Sequence, residues 1–233
     1  MNKISGLVAL GLSLSLASCG GGPAVPEVAA PATAIAGQVV SGEGSGTVTL
    51  QDGVDVLARA NVDAQGRFTL TLPGKEVLAP KLVAASQVLD RVGCEGTLNV
   101  KPLKDSAAEV RGYGVGVLAL ERGSLKTNVV ALDGWNSPTP ILNLPNIQAK
   151  GSAWIYTDQP ATVTGTVDCR KLVGMGMSIP VDVNFSTQAG WHVVHLSAEV
   201  GASTGGKVEA SLTASGAVQA EWRSLEDLGR QLQ

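Results

Sequence analysis

The sequence predicts a mostly β protein: a small β-sandwich followed by a larger antiparallel β-domain, with a short linking helix and a short C-terminal helix. Three observations carry this. Gly is abundant, at 29 of 233 residues, and falls with Asp, Asn and Pro between apolar runs, where tight turns need it. Val, Thr and Leu alternate with polar residues at period two in one stretch after another. Helical spacing appears only between residues 78 and 91 and again after Ser224.

The N-terminal stretch comes first. Lys3 precedes an uncharged run of Leu, Val, Ala, Gly, Ser and Ile that ends at Ala17. It is short of the roughly 20 residues that a spanning helix needs, and it fits the apolar part of a secretory signal. Leu16-Ala17-Ser18-Cys19 resembles the bacterial lipobox. The resemblance implies a diacylglyceryl thioether on Cys19, removal of residues 1–18 as a signal peptide and acylation of the new amino terminus. Each buried methylene contributes about 0.8 kcal/mol, so two or three acyl chains anchor stably where one does not. Gly20 stands where an Asp would signal retention in the inner membrane, so export to the outer membrane is expected if the cell has one. Residues 19–33 then read as a lipid-anchored, flexible tether, rich in Gly and stiffened by Pro23, Pro26 and Pro31.

Residues 34–73 read as short strands forming the small sandwich domain. Ile35–Val40 is the first, Thr47–Gln51 the second, Asp52-Gly53 a hairpin turn and Val54–Val62 the third. Asp63-Ala64-Gln65-Gly66 is a turn, after which Phe68, Leu70 and Leu72 share one strand face. Ile35-Ala36-Gly37-Gln38-Val39, followed by Val62-Asp63-Ala64-Gln65-Gly66-Arg67-Phe68-Thr69-Leu70, resembles the carboxypeptidase regulatory-like, transthyretin-like domain. That resemblance implies a small β-sandwich with a spacer or adhesion role and no catalytic residues.

Residues 74–93 form the linker. Pro80 suits the first turn of a helix, and Leu82, Ala85, Val88 and Leu89 recur at helical spacing, which predicts one helix over 78–91. Residues 94–233 return to β patterning, with strands near 95–102, 108–121, 124–132, 150–157, 161–169, 178–186, 191–200, 206–214 and 216–222. The Pro- and Asn-rich stretch 133–148 is a loop. Ser224 and Asp227 ahead of Leu228 and Leu232 predict a capped C-terminal helix. Trp154-Ile155-Tyr156-Thr157-Asp158, Ala161-Thr162-Val163-Thr164-Gly165 and Gly190-Trp191-His192-Val193-Val194 are together similar to a pattern in uncharacterised bacterial envelope lipoproteins. That resemblance implies no activity.

The chain has three cysteines. If Cys19 carries lipid, Cys94 and Cys169 form an even pair in an exported protein, and a disulfide is expected. Two separate buried thiols are the alternative. Neither C-x-x-C nor zinc spacing occurs, so redox catalysis and structural zinc have no support.

Few residues suggest catalysis. The two histidines, His192 and His195, lie an odd number apart on a strand and so point to opposite faces. Gly201-Ala202-Ser203-Thr204-Gly205 matches the G-x-S-x-G nucleophile elbow by letter. The residues after it alternate as a strand, however, and both histidines precede Ser203, so a hairpin loop is expected. Gly112, Gly114 and Gly116 clear one strand face, for close packing or for a shallow ligand groove. Asp52, Asp55, Asp63, Asp133, Asp158, Asp168 and Asp182 are scattered without EF-hand spacing. Trp135, Trp154, Trp191 and Trp222 suit the core better than a sugar-binding face, because aromatics are only 3% of the chain. That scarcity also argues against a membrane-spanning β-barrel, which wants aromatic girdles. No metal ion and no cofactor is expected, and catalytic residues are assigned to none.

The net charge is −3 with no basic stripe, which disfavours nucleic acid as a partner. The membrane, through lipid on Cys19, is the expected partner, with an envelope protein or polysaccharide as a further candidate. The functional expectation is a membrane-anchored cell-envelope lipoprotein with a structural, assembly or ligand-binding role, leaning away from an enzyme. The alternatives are an envelope-polymer hydrolase or a lipid-anchored solute-binding component of a transporter. A deep polar pocket with converging carboxylates would favour the hydrolase; a closed, well-packed sandwich would favour the first reading.

Overall fold

The computed structural model describes residues 28, 30–103, 108–136, 147–173, 178–201, 204, 208–215 and 219–231. The signal stretch, Cys19, most of the expected tether, residues 137–146 of the Pro-rich loop, and Ser203 lie outside the described residues. The strands run in chain order as β1 (Ala34–Val39), β2 (Gly46–Asp52), β3 (Asp55–Val62), β4 (Arg67–Thr71), β5 (Val83–Ala84), β6 (Asn99–Pro102), β7 (Arg111–Val115) and β8 (Val117–Arg122). There follow β9 (Leu125–Val130), β10 (Leu132–Asn136), β11 (Ile147–Thr157), β12 (Ala161–Asp168), β13 (Pro180–Thr187), β14 (Gly190–Val200), β15 (Val208–Ser215) and β16 (Gln219–Ser224). The helices are short: α1 (Lys75–Leu78), α2 (Arg170–Val173) and α3 (Leu225–Gln231).

The protein is mostly β, as the alternation predicts, and its strands form two curled sheets. The seven-stranded sheet has the order β3-β2-β8-β9-β16-β1-β4. It takes β1 to β4 from residues 34–71 and β8, β9 and β16 from beyond Cys94. The nine-stranded sheet has the order β5-β7-β11-β14-β15-β13-β12-β6, with β10 also paired to β11. Pairing is antiparallel except between β1 and β16 and between β13 and β15.

Two cores result. The first lies between the sheets and holds Ile35, Leu50, Leu70, Leu118 and Leu120 with Trp154, Trp191 and Trp222. The second lies on the other face of the nine-stranded sheet and holds Val88, Leu89, Ile155, Val163, Val183, Val194 and Leu212. Strands β11 and β14 feed both. Trp154 and Tyr156 enter the first core while Ala153 and Ile155 enter the second. Burial on both faces accounts for the unbroken apolar run Ala153-Trp154-Ile155-Tyr156 in β11.

Aromatic contacts join the sheets. The Trp154 and Trp222 rings stack at 5.4 Å with planes 19° apart, and Phe68 meets Trp222 edge-on at 5.9 Å. Trp191 donates its Nε1–H to the Pro73 carbonyl at 2.9 Å. Gly37 makes room for Trp222: a Cβ there would lie 2.6 Å from the indole Nε1 and 2.5 Å from the Ala220 carbonyl oxygen. The expected core role of these three tryptophans is observed; the Trp135 side chain lies outside the described residues.

The linker departs from a single helix over 78–91. It is helical in pieces: α1, a 3₁₀ turn at Ala79–Lys81 and a 3₁₀ segment at Ala85–Val92, interrupted by β5. The interruption has a cause. Val83 and Ala84 pair with Gly112 and Arg111 at the edge of β7, and Ala85 N–H bonds to the Val110 carbonyl at 2.9 Å. The sheet edge thus captures the backbone that a helix would use. The apolar stripe is still buried, with Ala85, Val88, Leu89 and Val92 facing inward.

Glycines fit this 3₁₀ segment onto β7. A Cβ on Gly114 would lie 2.5 Å from the Val88 carbonyl oxygen, and one on Gly116 would lie 2.7 Å from Val92 Cγ1. The alternating glycines serve close packing rather than a groove. Arg91 braces the outside, with its guanidinium 4.6 Å from the Tyr113 ring centroid and 2.8 Å from Asp52.

Helix α3 is capped as predicted, with one addition. Asp227 N–H donates to Ser224 Oγ at 3.1 Å, and Ser224 Oγ donates to the Asp227 carboxylate at 2.9 Å. Ser41, from the loop after β1, inserts itself: Ser224 N–H donates to Ser41 Oγ at 2.9 Å, and Ser41 Oγ donates to Asp227. These hydrogen bonds, led by that from Ser41, hold the Asp227 carboxyl below the usual carboxylate range.

Candidate functional site

Cys94 and Cys169 form a disulfide, and both residues are fully buried. Cys94 follows the 3₁₀ segment after Gly93 and Cys169 follows β12, so the bond ties the end of the linker to the second core. Reciprocal backbone hydrogen bonds of 2.8 Å between Glu95 and Asp168 flank it. Asp168 organises the turn beyond. Its carboxylate accepts from the Arg170 guanidinium, Ile179 N–H and Ser178 Oγ. These bonds, led by Arg170, hold its carboxyl well below the usual carboxylate range. The group is fully engaged in structure.

The histidines take opposite faces of β14, as their spacing requires. His192 is 1% exposed and lies in the second-core face of the sheet. Its Nε2 lies 2.9 Å from the Gln188 carbonyl and 3.1 Å from the Gln188 amide nitrogen. Its buried Nδ1 meets no partner among the described residues. Burial pushes the imidazole pKa down, because a charged ring would lose its hydration there.

His195 pairs with Ser152, its direct neighbour across β11 and β14, with Ser152 Oγ 3.0 Å from His195 Nδ1. A serine hydrogen-bonded to an imidazole is the first half of a nucleophilic dyad. The second half is missing among the described residues, where no carboxylate orients the other ring nitrogen. His195 Nδ1 also lies 3.4 Å from the Gly151 carbonyl. Ser152 was not legible as a candidate; cross-strand register, which no local motif carries, brings it to His195.

The G-x-S-x-G stretch joins β14 to β15. These strands pair antiparallel from Val200↔Val208 onward, and Thr204 Oγ1 caps the turn at Gly201 with bonds of 3.1 Å. The setting is a hairpin, not the strand-to-helix turn that a nucleophile elbow needs.

Three carboxylates gather at one place, of which Asp182 alone is among those the sequence singles out. On the face of the nine-stranded sheet opposite the second core, Asp182 of β13, Ser197 and Glu199 of β14, and Glu209 and Ser211 of β15 line an open concavity of about 710 Å³ with Pro180. Glu199 and Glu209 are direct cross-strand neighbours. Asp182 accepts a hydrogen bond from Thr166 Oγ1 at 2.9 Å. Side-chain alternation places these groups outward, because Ala210 and Leu212 between them face the second core. The surface offers hydroxyls and carboxylates to a hydroxylated or cationic ligand. It is shallow, and the described residues hold no cluster of three or more ligands suited to a metal ion.

No known family, no curated protein and no solved structure matches this chain. No helix among the described residues is long and apolar enough to cross a membrane.

Proposed function

We propose that this is an exported, lipid-anchored envelope protein whose β body has a structural, assembly or ligand-binding role. The observation that carries the reading is the division of the three cysteines. Two are joined in a buried disulfide, a bond that persists in oxidising compartments. The third, Cys19, closes an apolar N-terminal run at a lipobox-like Leu16-Ala17-Ser18-Cys19. A disulfide-bonded body and an acylated cysteine both belong to a protein that has left the cytoplasm, so the two features support each other. The non-catalytic role is supported by the interior. Trp154, Trp191 and Trp222 are committed to the core, the buried His192 has no carboxylate partner among the described residues, and the concavity on β13, β14 and β15 is open rather than deep.

The test is metabolic labelling with palmitate. Label should enter the wild-type chain and be absent from Cys19→Ala, with the protein moving from the membrane to the soluble fraction. Label retained by Cys19→Ala would refute the reading. A hydrolase acting on envelope polymers is the second reading, favoured only by the facing Glu199 and Glu209. Under that reading, the wild-type protein would cleave such a polymer and Glu199→Gln or Glu209→Gln would not.

A further inference from the structure

We propose that the end of the body carrying Val54, Val56 and Val77 rests on the phospholipid surface that holds Cys19; this deepens the lipid-anchor reading and depends on it. The strand course places these residues where the chain arrives from Cys19. β3 runs from Asp55 to Val62, turns at Asp63–Gly66, where Asp63 N–H bonds to the Arg67 carbonyl at 3.0 Å, and returns as β4 to Thr71. Asp55 and Thr71 therefore share one end of the sheet. Ala34, the first residue of β1, pairs with Thr71, and Leu72 N–H bonds to the Thr33 carbonyl at 3.0 Å. The body thus receives its N-terminal segment at the end where the β2–β3 hairpin and α1 project. Lys81 holds the two projections together through Asp52 and Asp55.

That end is apolar where it is most exposed. Val54, at the hairpin tip, is 98% exposed, Val56 is 50% exposed and Val77 is 46% exposed. A turn position favours polar residues, so a fully exposed valine there serves neither turn geometry nor the core. Charge does not oppose the approach, because Lys81 and Arg91 pair with Asp52 and Asp55 beside the tip, and Lys75 and Glu76 of α1 offset each other. Reach also suits it. The thirteen residue steps from Cys19 to Ala32 extend at most about 47 Å at 3.3–3.6 Å per residue. Such a short link holds the body near the lipid at a high effective concentration, where a contact too weak to recruit a free protein is still populated. Partial insertion of aliphatic side chains at the headgroup boundary is favourable for the same reason as any apolar burial.

The experiment compares amide hydrogen exchange in vesicles of phosphatidylethanolamine and phosphatidylglycerol with exchange in the vesicle-free Cys19→Ser chain. One arm uses the protein as purified from membranes. A second uses the chain from Cys19 onward, which keeps every described residue, coupled through that thiol to a maleimide-headgroup lipid. In both arms, amides of Gly53 to Val56 should exchange about tenfold more slowly on vesicles, while Glu43 and Gly44 at the opposite end keep their rate. The double substitution Val54→Asp/Val56→Asp should restore the vesicle-free rate at the tip and leave the β11 and β14 amides unchanged. Equal rates at the tip with and without vesicles, or equal slowing at both ends, would overturn the proposal. The mass of the N-terminal peptide reads acylation separately. An unmodified Cys19 in cells with tip protection in the coupled arm would sink the anchor and spare the contact; an acylated Cys19 without protection would do the reverse.

Discussion

Removing the disulfide should cost this protein a large part of its stability, mainly through the unfolded chain. Cys94 and Cys169 are separated by 75 residues. In the chain-entropy account, closing a loop of that length stabilises by about 4.5 kcal/mol at 25 °C. Domains of ordinary stability have about 5–15 kcal/mol in total. The native surroundings have reason to survive the change. The Glu95–Asp168 backbone bonds and the Asp168 carboxylate network hold the same two segments together without the sulfurs. Cys94→Ala/Cys169→Ala should therefore fold at low denaturant but unfold at a much lower urea midpoint. Fluorescence of the buried Trp154, Trp191 and Trp222 gives the readout. Wild-type protein with reductant should match the double variant. A loss below about 1 kcal/mol, or no shift on reduction, would refute the loop-closure reasoning.

Three further outcomes follow from other contacts. Gly114→Ala should lose about 1–3 kcal/mol through overpacking, because its Cβ would meet the Val88 carbonyl, a backbone atom that cannot rotate away; a wild-type urea midpoint would contradict this. His192 has a folded pKa pushed below its unfolded value by burial, so its contribution is complete above about pH 6.5 and declines as pH falls below it, by at most about 1.4 kcal/mol per pH unit. Urea midpoints of wild type and His192→Gln between pH 7.5 and 5 should diverge on that side, and parallel profiles would exclude His192 as the cause. Ser41→Ala should destabilise by about 1 kcal/mol, like loss of a cap, since it leaves the buried Ser224 N–H without its acceptor; thermal unfolding at the wild-type temperature would argue that water replaces the hydroxyl.

What the sequence made legible was local. The Asp52-Gly53 and Asp63–Gly66 turns, the inward alternation of Phe68 and Leu70, and the Ser224 cap all depend on residues a few positions apart, where propensity and spacing act directly. Pairing across long separations was not legible. The parallel seating of β16 on β1, with Val39 opposite Trp222, and of β13 beside β15, leaves no local pattern. The linker shows the same limit. Its apolar stripe is buried, as helical spacing of Ala85, Val88 and Leu89 allows, but the capture of Val83 by β7 is a tertiary event that overrides helical spacing. The glycines of β7 permitted both packing and a groove, and only the arrival of Val88 and Val92 decides between them. At the concavity, Asp182 was visible as one scattered carboxylate. Glu199 and Glu209 were not singled out, although the hairpin symmetry about the 201–207 loop would have placed them opposite one another once both strands were accepted.

The proposed function requires an exported chain whose cysteines are divided between lipid and disulfide. Peptide mapping by mass spectrometry of the protein purified from membranes, without reduction, reads both at once. The predicted result is a mature N-terminus at Cys19 carrying diacylglyceryl and acyl groups, together with a cross-linked pair of peptides containing Cys94 and Cys169. A mature protein that retains residues 1–18 with Cys19 unmodified, or that shows free thiols at Cys94 and Cys169, would contradict it.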